Sequence, residues 1–110
     1  MFALFNVGAG AQTFSASIAG IVTDPSGAVT SRAQVQLTNM DTHDVRNYTT
    51  TNDGTYKFDN LSPSTYQITV DAKGFKTFVR SNMLLRAETS AVVDVNLQVG
   101  ALDSYGSGAD

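Results

Sequence analysis

The stretch "TTTNDGTYKFDNLSPSTYQITV", residues Thr49 to Val70, decides the fold. Aromatic and aliphatic side chains stand at every second position on each side of a short connection around Pro63. Such alternation places one set of side chains on one face of a β-strand. Asn52-Asp53-Gly54 precede the first run, and these residue types favour the tight turn of a hairpin. The stretch therefore predicts two half-buried strands entered through a turn.

The same alternation recurs on both sides of this stretch. It is longest from Ala91 to Val99, which predicts one continuous last strand. Asp24-Pro25-Ser26-Gly27 supplies turn chemistry between two earlier runs. No window shows a 3.6-residue apolar stripe, so the chain is predicted to be an all-β sandwich with almost no helix. The inward positions, and hence the expected core, are Ile18, Val22, Val35, Leu37, Tyr56, Phe58, Tyr66, Ile68, Val70, Val93, Val95 and Leu97.

Composition narrows the classes of protein and partner. A chain of 110 residues with 42% hydrophobic content suits one domain with one core. The formal net charge is −3, so we expect no nucleic-acid partner. Cysteine is absent, which excludes disulfides, thiolate nucleophiles and zinc–sulfur sites. An exported chain of this kind depends on its core for stability.

Three segments in order resemble the carboxypeptidase regulatory-like domain: "GIVTDPSGAVTSRAQVQLTN", "TTTNDGTYKFDNLSPSTYQITVDAKGFKT" and "AVVDVNLQVG". The resemblance covers about Ser17 to Gly100 and implies a seven-stranded, transthyretin-like (prealbumin-like, Ig-like) sandwich with extended termini. In that family the connection after Leu61 usually reads Leu-x-Pro-Gly-x-Tyr. This chain has Ser64 at the glycine position, so the turn is expected to differ in type, because serine tolerates positive φ poorly.

The resemblance implies no catalytic machinery, because such domains lie beside catalytic domains or at the amino end of bacterial TonB-dependent outer-membrane receptors. The residues agree with this expectation. His43 is the only histidine, so neither a pair of metal-binding histidines nor a cysteine–histidine dyad can form. It lies in the polar stretch "NMDTHDVRN", where a solvated loop histidine is the simpler interpretation. We predict no enzymatic activity, no catalytic residue and no cofactor.

The sequence contains residues for two kinds of surface site. Asn39 with Asp41 and Asp44, or Asn52 with Asp53, offers oxygen ligands for calcium without the spacing of a calcium loop, so no metal site is predicted. Asn47 and Asn60 match the Asn-x-Ser/Thr acceptor pattern for glycosylation, the latter weakened by Pro63. Both remain candidate sites for surface glycans.

The amino-terminal segment "MFALFNVGAGAQTFSA" is apolar and ends in small residues. It resembles the hydrophobic part and cleavage region of a secretory signal, with a cut before Gln12, but it lacks a basic start and is too short to span a membrane. The alternative is a donor arm that adds a strand to a neighbouring sandwich. The assembly residues would then be Phe2, Leu4, Phe5 and Val7. The predicted divisions are an arm at 1–13, a sandwich at 14–100 and a Gly/Ser-rich tail at 101–110.

Two function classes follow from these features. The first is a secreted bacterial structural subunit, extracellular or on the cell surface, that forms a head-to-tail homo-oligomer or filament by strand donation. The second is an accessory amino-terminal domain of a TonB-dependent receptor or exported enzyme. Because the sequence ends at "ALDSYGSGAD", where a receptor would continue, the first class is expected slightly ahead of the second.

Overall fold

A computed structural model of the protein describes residues 15–100, which form two packed β-sheets without any helix. The all-β sandwich expected from the alternation is confirmed. The described residues form eight strands, one more than expected. In chain order they are β1 Ala16–Thr23, β2 Gln34–Asn39, β3 Val45–Thr49, β4 Thr55–Leu61, β5 Ser64–Asp71, β6 Phe78–Leu85, β7 Ser90–Val92 and β8 Val95–Asn96.

The first sheet has β1 at its centre, between β4 on one side and β7 and β8 on the other. The second sheet has the order β3-β2-β5-β6. Neighbouring strands are antiparallel except that β7 and β8 run parallel to β1. Consecutive strands therefore alternate between sheets at β3–β4 and β4–β5, which is how a sandwich encloses a single core.

The turn at Asn52-Asp53-Gly54 does not close a hairpin, contrary to the sequence prediction. It joins β3 of the second sheet to β4 of the first. Gly54 has φ +75° and its carbonyl accepts a hydrogen bond from the Val22 amide at 2.8 Å. The turn is thus fastened to β1, in the opposite sheet from β3. Turn residues specify a reversal of direction but do not specify which sheet the chain enters.

The last strand is also divided, whereas the alternation predicted a continuous one. Ser17 lies opposite Ser90 and Val22 opposite Val95, so the register is the same on both sides of the break. At the break the Ile21 amide donates to Oδ1 of Asp94 at 3.1 Å instead of to a backbone carbonyl. A side-chain acceptor replaces one rung of the ladder, and β7 and β8 become separate strands.

The core lies between the sheets and contains all twelve side chains predicted from the alternation. Ala16, Ala33, Leu61 and Leu85 complete it. Ile68, Val70 and Val22 are fully buried. The predicted Asp24–Gly27 turn is also present, since Oδ1 of Asp24 accepts hydrogen bonds from the amides of Ser26 and Ala28 and Gly27 has φ +91°. The inward register of every predicted core residue is therefore correct.

Candidate functional site on the open side of the sandwich

Each sheet has a β-bulge in one of its edge strands. In β4, Asp59 and Asn60 lie opposite the single residue Ser17, because Ala16 pairs with Leu61 and Ile18 with Phe58. In β6, two residues lie opposite Gln67 in the same way, and the second of them is Asn82. Asn60 and Asn82 have φ +57° and +59°, the left-handed region that asparagine tolerates better than most residues. Bulges of this kind disturb an edge ladder and limit strand addition.

We call the side where β3 and β4 run next to each other the closed side. Arg46 of β3 extends across it and donates from Nη1 to the Asp59 carbonyl at 2.7 Å and from Nη2 to the Asn60 carbonyl at 3.1 Å. The rings of Tyr48 and Phe58 meet edge-on, with centroids 6.0 Å apart. One guanidinium thus satisfies the carbonyls that the β4 bulge turns outward, and it joins the two sheets.

We call the opposite side, between β6 and β7, the open side. A cleft of about 330 Å³ lies there, with the buried side chains of Ile18, Leu85 and Val93 as its floor. Leu84 and Val92 stand at its rim and are 64% and 72% exposed. The backbone pairing within residues 15–100 includes no hydrogen bond between β6 and β7. The described part of the molecule therefore has a cleft between its sheets on this side, with exposed aliphatic side chains at the rim.

Arg80 also lines the cleft. It lies opposite Ile68 in the β5–β6 ladder, and opposite residues of an antiparallel pair point to the same face, which here is the inner one. Within residues 15–100 its guanidinium has no hydrogen-bond or ion-pair partner. The bulge and the inward charge both work against edge-to-edge pairing. The guanidinium of Arg80 could also donate two parallel hydrogen bonds to a carboxylate bound in the cleft, next to the apolar side chains of its floor.

Behind the cleft, β1 and the β7–β8 segment come unusually close at Gly20. A Cβ atom on Gly20 would lie 1.9 Å from the Val93 carbonyl oxygen and 2.9 Å from the Tyr56 hydroxyl. That hydroxyl donates to the same carbonyl at 2.5 Å. Burial raises the pKa of Tyr56, the charge of Asp94 raises it further, and the charge of Arg80 lowers it. Tyr56 therefore stays protonated and holds Val93 in place under the cleft.

A polar corner formed by Asn39, Asp41, Ser64 and Tyr66 lies at the end of β2. Oδ1 of Asn39 accepts from the Asp41 amide at 2.9 Å and from the Ser64 hydroxyl at 2.9 Å, and the same hydroxyl contacts Oδ2 of Asp41. Among the described residues with positive φ, Ser64 does not occur. The serine therefore needs no glycine-like backbone here, and its hydroxyl ties the β2–β3 turn to the start of β5.

The carboxylate of Asp41 is engaged by hydrogen-bond donors of this corner. The Ser64 hydroxyl and the Thr65 amide hold the pKa of Asp41 below its ordinary value. Across residues 15–100 no group of three or more acidic, histidine or cysteine side chains is suited to a metal ion. Asn39 and Asp41 are engaged by hydroxyl and amide donors, and the absence of a metal site stays a prediction.

The other singled-out residues lie apart from the cleft. His43 is exposed in the β2–β3 turn with φ +70°. Asn47 is exposed on β3 and its Oδ1 accepts from Gln36 at 3.4 Å, while Asn60 is exposed at the β4 bulge. Both stay candidate glycosylation sites. Phe2, Leu4, Phe5 and Val7 lie outside the described residues, so the assembly arm and the three divisions of the chain stay predictions.

Sequence reasoning missed Arg46, Arg80 and the two bulges. An asparagine in each edge strand was the available signal, because asparagine is the residue most tolerant of left-handed φ after glycine. In the described part of the chain there is no helix of the length and apolarity needed to cross a bilayer.

Three solved structures share the fold. The TIE protein of Bacillus anthracis aligns with a TM-score of 0.67 at 17% identity, over 78% of this chain and 17% of that one. A candidate carbohydrate binding protein of Bacteroides uniformis aligns with a TM-score of 0.60 at 19% identity, over 74% and 40%. Catechol 1,2-dioxygenase of Pseudomonas arvilla C-1 aligns with a TM-score of 0.63 at 12% identity, over 82% and 54%. The chain thus corresponds to about a sixth to a half of each of these proteins, and identities this low show the fold alone.

The family is established by sequence. No curated protein matches the chain. The pattern of one family does match, over residues 17–98, which is most of the chain and contains every strand after the first residue of β1. The matched range also contains both bulges, Arg46 and Arg80. The chain belongs to the carboxypeptidase regulatory-like domain family.

Proposed function

We propose that the chain is a non-catalytic accessory module of an exported bacterial protein. Domains of this family are often accessory to other domains. The observation that carries the proposal is the placement of the reactive side chains. His43 is exposed in a turn, and the Asp24 and Asp41 carboxylates are occupied by neighbouring amides and hydroxyls. What the described surface offers instead is a cleft lined by both aliphatic and polar side chains, among them Leu84, Val92 and Arg80.

The dioxygenase among the structural neighbours raises the alternative of an oxidative enzyme. Non-haem iron oxygenases commonly hold their metal with two histidines and a carboxylate. The whole sequence contains one histidine, so a single chain cannot build that set. The neighbour therefore supports a common sandwich and gives no ground for common chemistry.

The accessory role is tested by activity and by the mass of the native protein. The full chain should release no product from peptide, ester or catechol substrates above a buffer blank. An antibody raised against the domain should detect a native protein much larger than 11.7 kDa in the envelope fraction of the source cells. Turnover that disappears in a His43→Ala variant would overturn the proposal, and so would a native protein of 11.7 kDa.

The open side favours a second candidate, a filament subunit. An extended segment with apolar side chains fits a cleft between two sheets, and residues 1–13 include Phe2, Leu4 and Phe5. If this is the role, the full chain should sediment as a high-mass species, and a Phe2→Ser/Phe5→Ser variant should sediment as a monomer. Equal sedimentation of the two proteins would exclude strand donation by this arm.

A further inference from the structure

The open and closed sides each contain a bulged edge strand and an arginine. Of these two arginines, only Arg46 makes side-chain hydrogen bonds within residues 15–100. Arg46 donates to two carbonyl oxygens of the β4 bulge. Arg80 stands at an inner position of bulged β6 and, among residues 15–100, has no hydrogen-bond or ion-pair partner. A planar fork of donors beside an apolar floor is suited to a bidentate carboxylate.

We propose that the cleft between β6 and β7 binds an extended peptide segment of a partner protein, with an aliphatic side chain on the cleft floor and a neighbouring carboxylate on Arg80. The inference rests on the accessory role proposed above, because it names the kind of partner that such a module would engage. The aliphatic side chain would contact the exposed side chains of Leu84 and Val92, above the buried Ile18, Leu85 and Val93. The bulge restricts backbone pairing to a short ladder, so the two side-chain contacts determine specificity.

The surrounding charge agrees with an acidic segment. From Lys73 to Ala87 the chain has four cationic residues, Lys73, Lys76, Arg80 and Arg86, and no acidic residue. This run contains the whole of β6 with its approaches from both ends. Asp71 and Glu88 flank this run, and with them included the net charge of residues 71–88 is +2, from four cationic and two acidic side chains. A positive edge next to an apolar cleft attracts an acidic segment and repels a basic one.

The need for a carboxylate next to an aliphatic side chain separates the proposed partner from other possible occupants of the cleft. Residues 1–14 contain neither aspartate nor glutamate, so the amino-terminal segment has no carboxylate for Arg80. A second copy of the chain would have to present one of its own carboxylates. Within residues 15–100 these lie in turns or loops, at the β4 bulge (Asp59), at the end of β5 (Asp71) or in the break between β7 and β8 (Asp94), and none lies inside a regular strand. An acidic and aliphatic segment of another protein or domain meets both requirements.

The test uses the full chain and three synthetic peptides with blocked ends: four Val-Glu repeats, four Val-Lys repeats and four Ser-Glu repeats. Calorimetry gives the affinities, and amide chemical shifts locate the binding. We expect the Val-Glu peptide to bind at least tenfold more tightly than either of the others. The shifts should fall on β6 and β7, and binding should weaken with added salt.

Variants then separate the two contacts. Arg80→Gln should weaken binding of the Val-Glu peptide about tenfold and remove most of its salt dependence. Leu84→Ser and Val92→Ser, at exposed rim positions, should weaken it severalfold and leave the salt dependence in place. Lys57→Gln is the matched control, because this lysine is exposed on β4 and pairs only with Asp59 at 3.6 Å. It should leave the affinity unchanged.

Other outcomes overturn the inference. Equal affinity for the Val-Glu and Val-Lys peptides, or shifts confined to β3, would show that Arg80 does not bind a carboxylate and serves only to prevent edge-to-edge pairing of β6. Binding that appears only in the Phe2→Ser/Phe5→Ser variant would identify the chain's own amino-terminal segment as the occupant. Self-association lost in Arg80→Gln would identify a second copy. Failure of peptide binding leaves the activity and mass assays unaffected, so it is distinguishable from failure of the accessory role.

Discussion

The closed and open sides of the sandwich each have a bulged edge strand, but they differ in how the side chains cover it. On the closed side a bulge turns two carbonyls outward, and Arg46 and the Tyr48–Phe58 contact cover the junction of the sheets. On the open side β6 has the same kind of bulge, but Arg80 has no hydrogen-bond or ion-pair partner among residues 15–100, and Leu84 and Val92 are exposed. The difference indicates that the closed side serves stability. The open side leaves Leu84, Val92 and the Arg80 guanidinium exposed, which is what the proposed peptide contact requires.

The largest expected effect comes from filling the close approach behind the open side. In Gly20→Ala the new Cβ would lie 1.9 Å from the Val93 carbonyl oxygen, which is backbone, so β7 and β8 must move. We expect a loss of about 3 kcal/mol of unfolding free energy, measured by urea denaturation. Hydrogen exchange should accelerate in β7 and β8 and stay slow in β3.

The matched control for this change is Gly27→Ala. Gly27 has φ +91° and open space around its Cβ direction, so the cost there is backbone strain of about 1 kcal/mol. Similar losses in the two variants would mean that contact with Val93 is not what holds the open edge.

Removing the Tyr56 hydroxyl is the next largest change. Tyr56→Phe leaves the buried Val93 carbonyl without its hydroxyl donor, at a cost of about 1–3 kcal/mol. The folded-state pKa of Tyr56 is raised above the ordinary 10.0, so its contribution is complete below pH 10 and falls as pH rises above that value. The parent should lose stability in alkaline solution more steeply than Tyr56→Phe. Parallel alkaline profiles would contradict this assignment.

The two arginines provide the direct test of the comparison. Arg46→Gln leaves the Asp59 and Asn60 carbonyls without the guanidinium, and we expect a loss of about 1 kcal/mol in urea denaturation. Arg80→Gln should change stability by less than about 0.5 kcal/mol, because it removes an exposed charge that has no hydrogen-bond or ion-pair partner in the described part of the chain. Equal losses would mean that Arg80 contributes as much to stability as Arg46 does, contrary to the comparison of the two sides.

The smallest effect concerns acid stability at the polar corner. The pKa of Asp41 is lowered below its ordinary 3.8 by the Ser64 hydroxyl and the Thr65 amide. Its stabilising contribution is therefore present above pH 3.8 and is lost as pH falls through the folded-state value. Asp41→Asn should be less sensitive to acid than the parent when melting temperatures at pH 7 and pH 3 are compared. Asp53→Asn, without a side-chain hydrogen bond in residues 15–100, should behave as the parent does.

Sequence alone could predict the inward faces of the strands, because period-two alternation is a local property. Tyr56, Ile68 and Val95 are buried where the alternation placed them. The break in the last strand could not be predicted in this way, since Asp94 occupies an outward position whether the strand is continuous or divided. Likewise, Asn52-Asp53-Gly54 predicted a turn, but its attachment to Val22 depends on a contact between sheets.

The candidate site was harder to predict for the same reason. Nothing in the sequence around Arg46 or Arg80 distinguishes the arginine that bonds to a bulge from the one that does not. The distinction depends on which strand lies across the sandwich, and that is set by sheet order. Leu84 and Val92 likewise follow strand alternation, and only the absence of a neighbour beyond β6 and β7 in the described part of the chain makes them a rim.

The parallel pairing of β1 with β7 and β8 has a consequence for biogenesis. Ser17 meets Ser90 and the Ile21 amide meets Asp94, contacts that span 73 residues. A chain emerging from the ribosome or a translocation pore can pair β2, β3 and β5 early, but its first strand waits for nearly the last residues of the domain. Closing such a long loop slows folding, and β1 stays without its parallel partner strands and accessible to proteases until the whole domain has been released. Quality control during synthesis would therefore act on β1. A protease cleavage site placed in this strand should be cut in nascent chains that end before residue 90 and protected in chains that extend past residue 100.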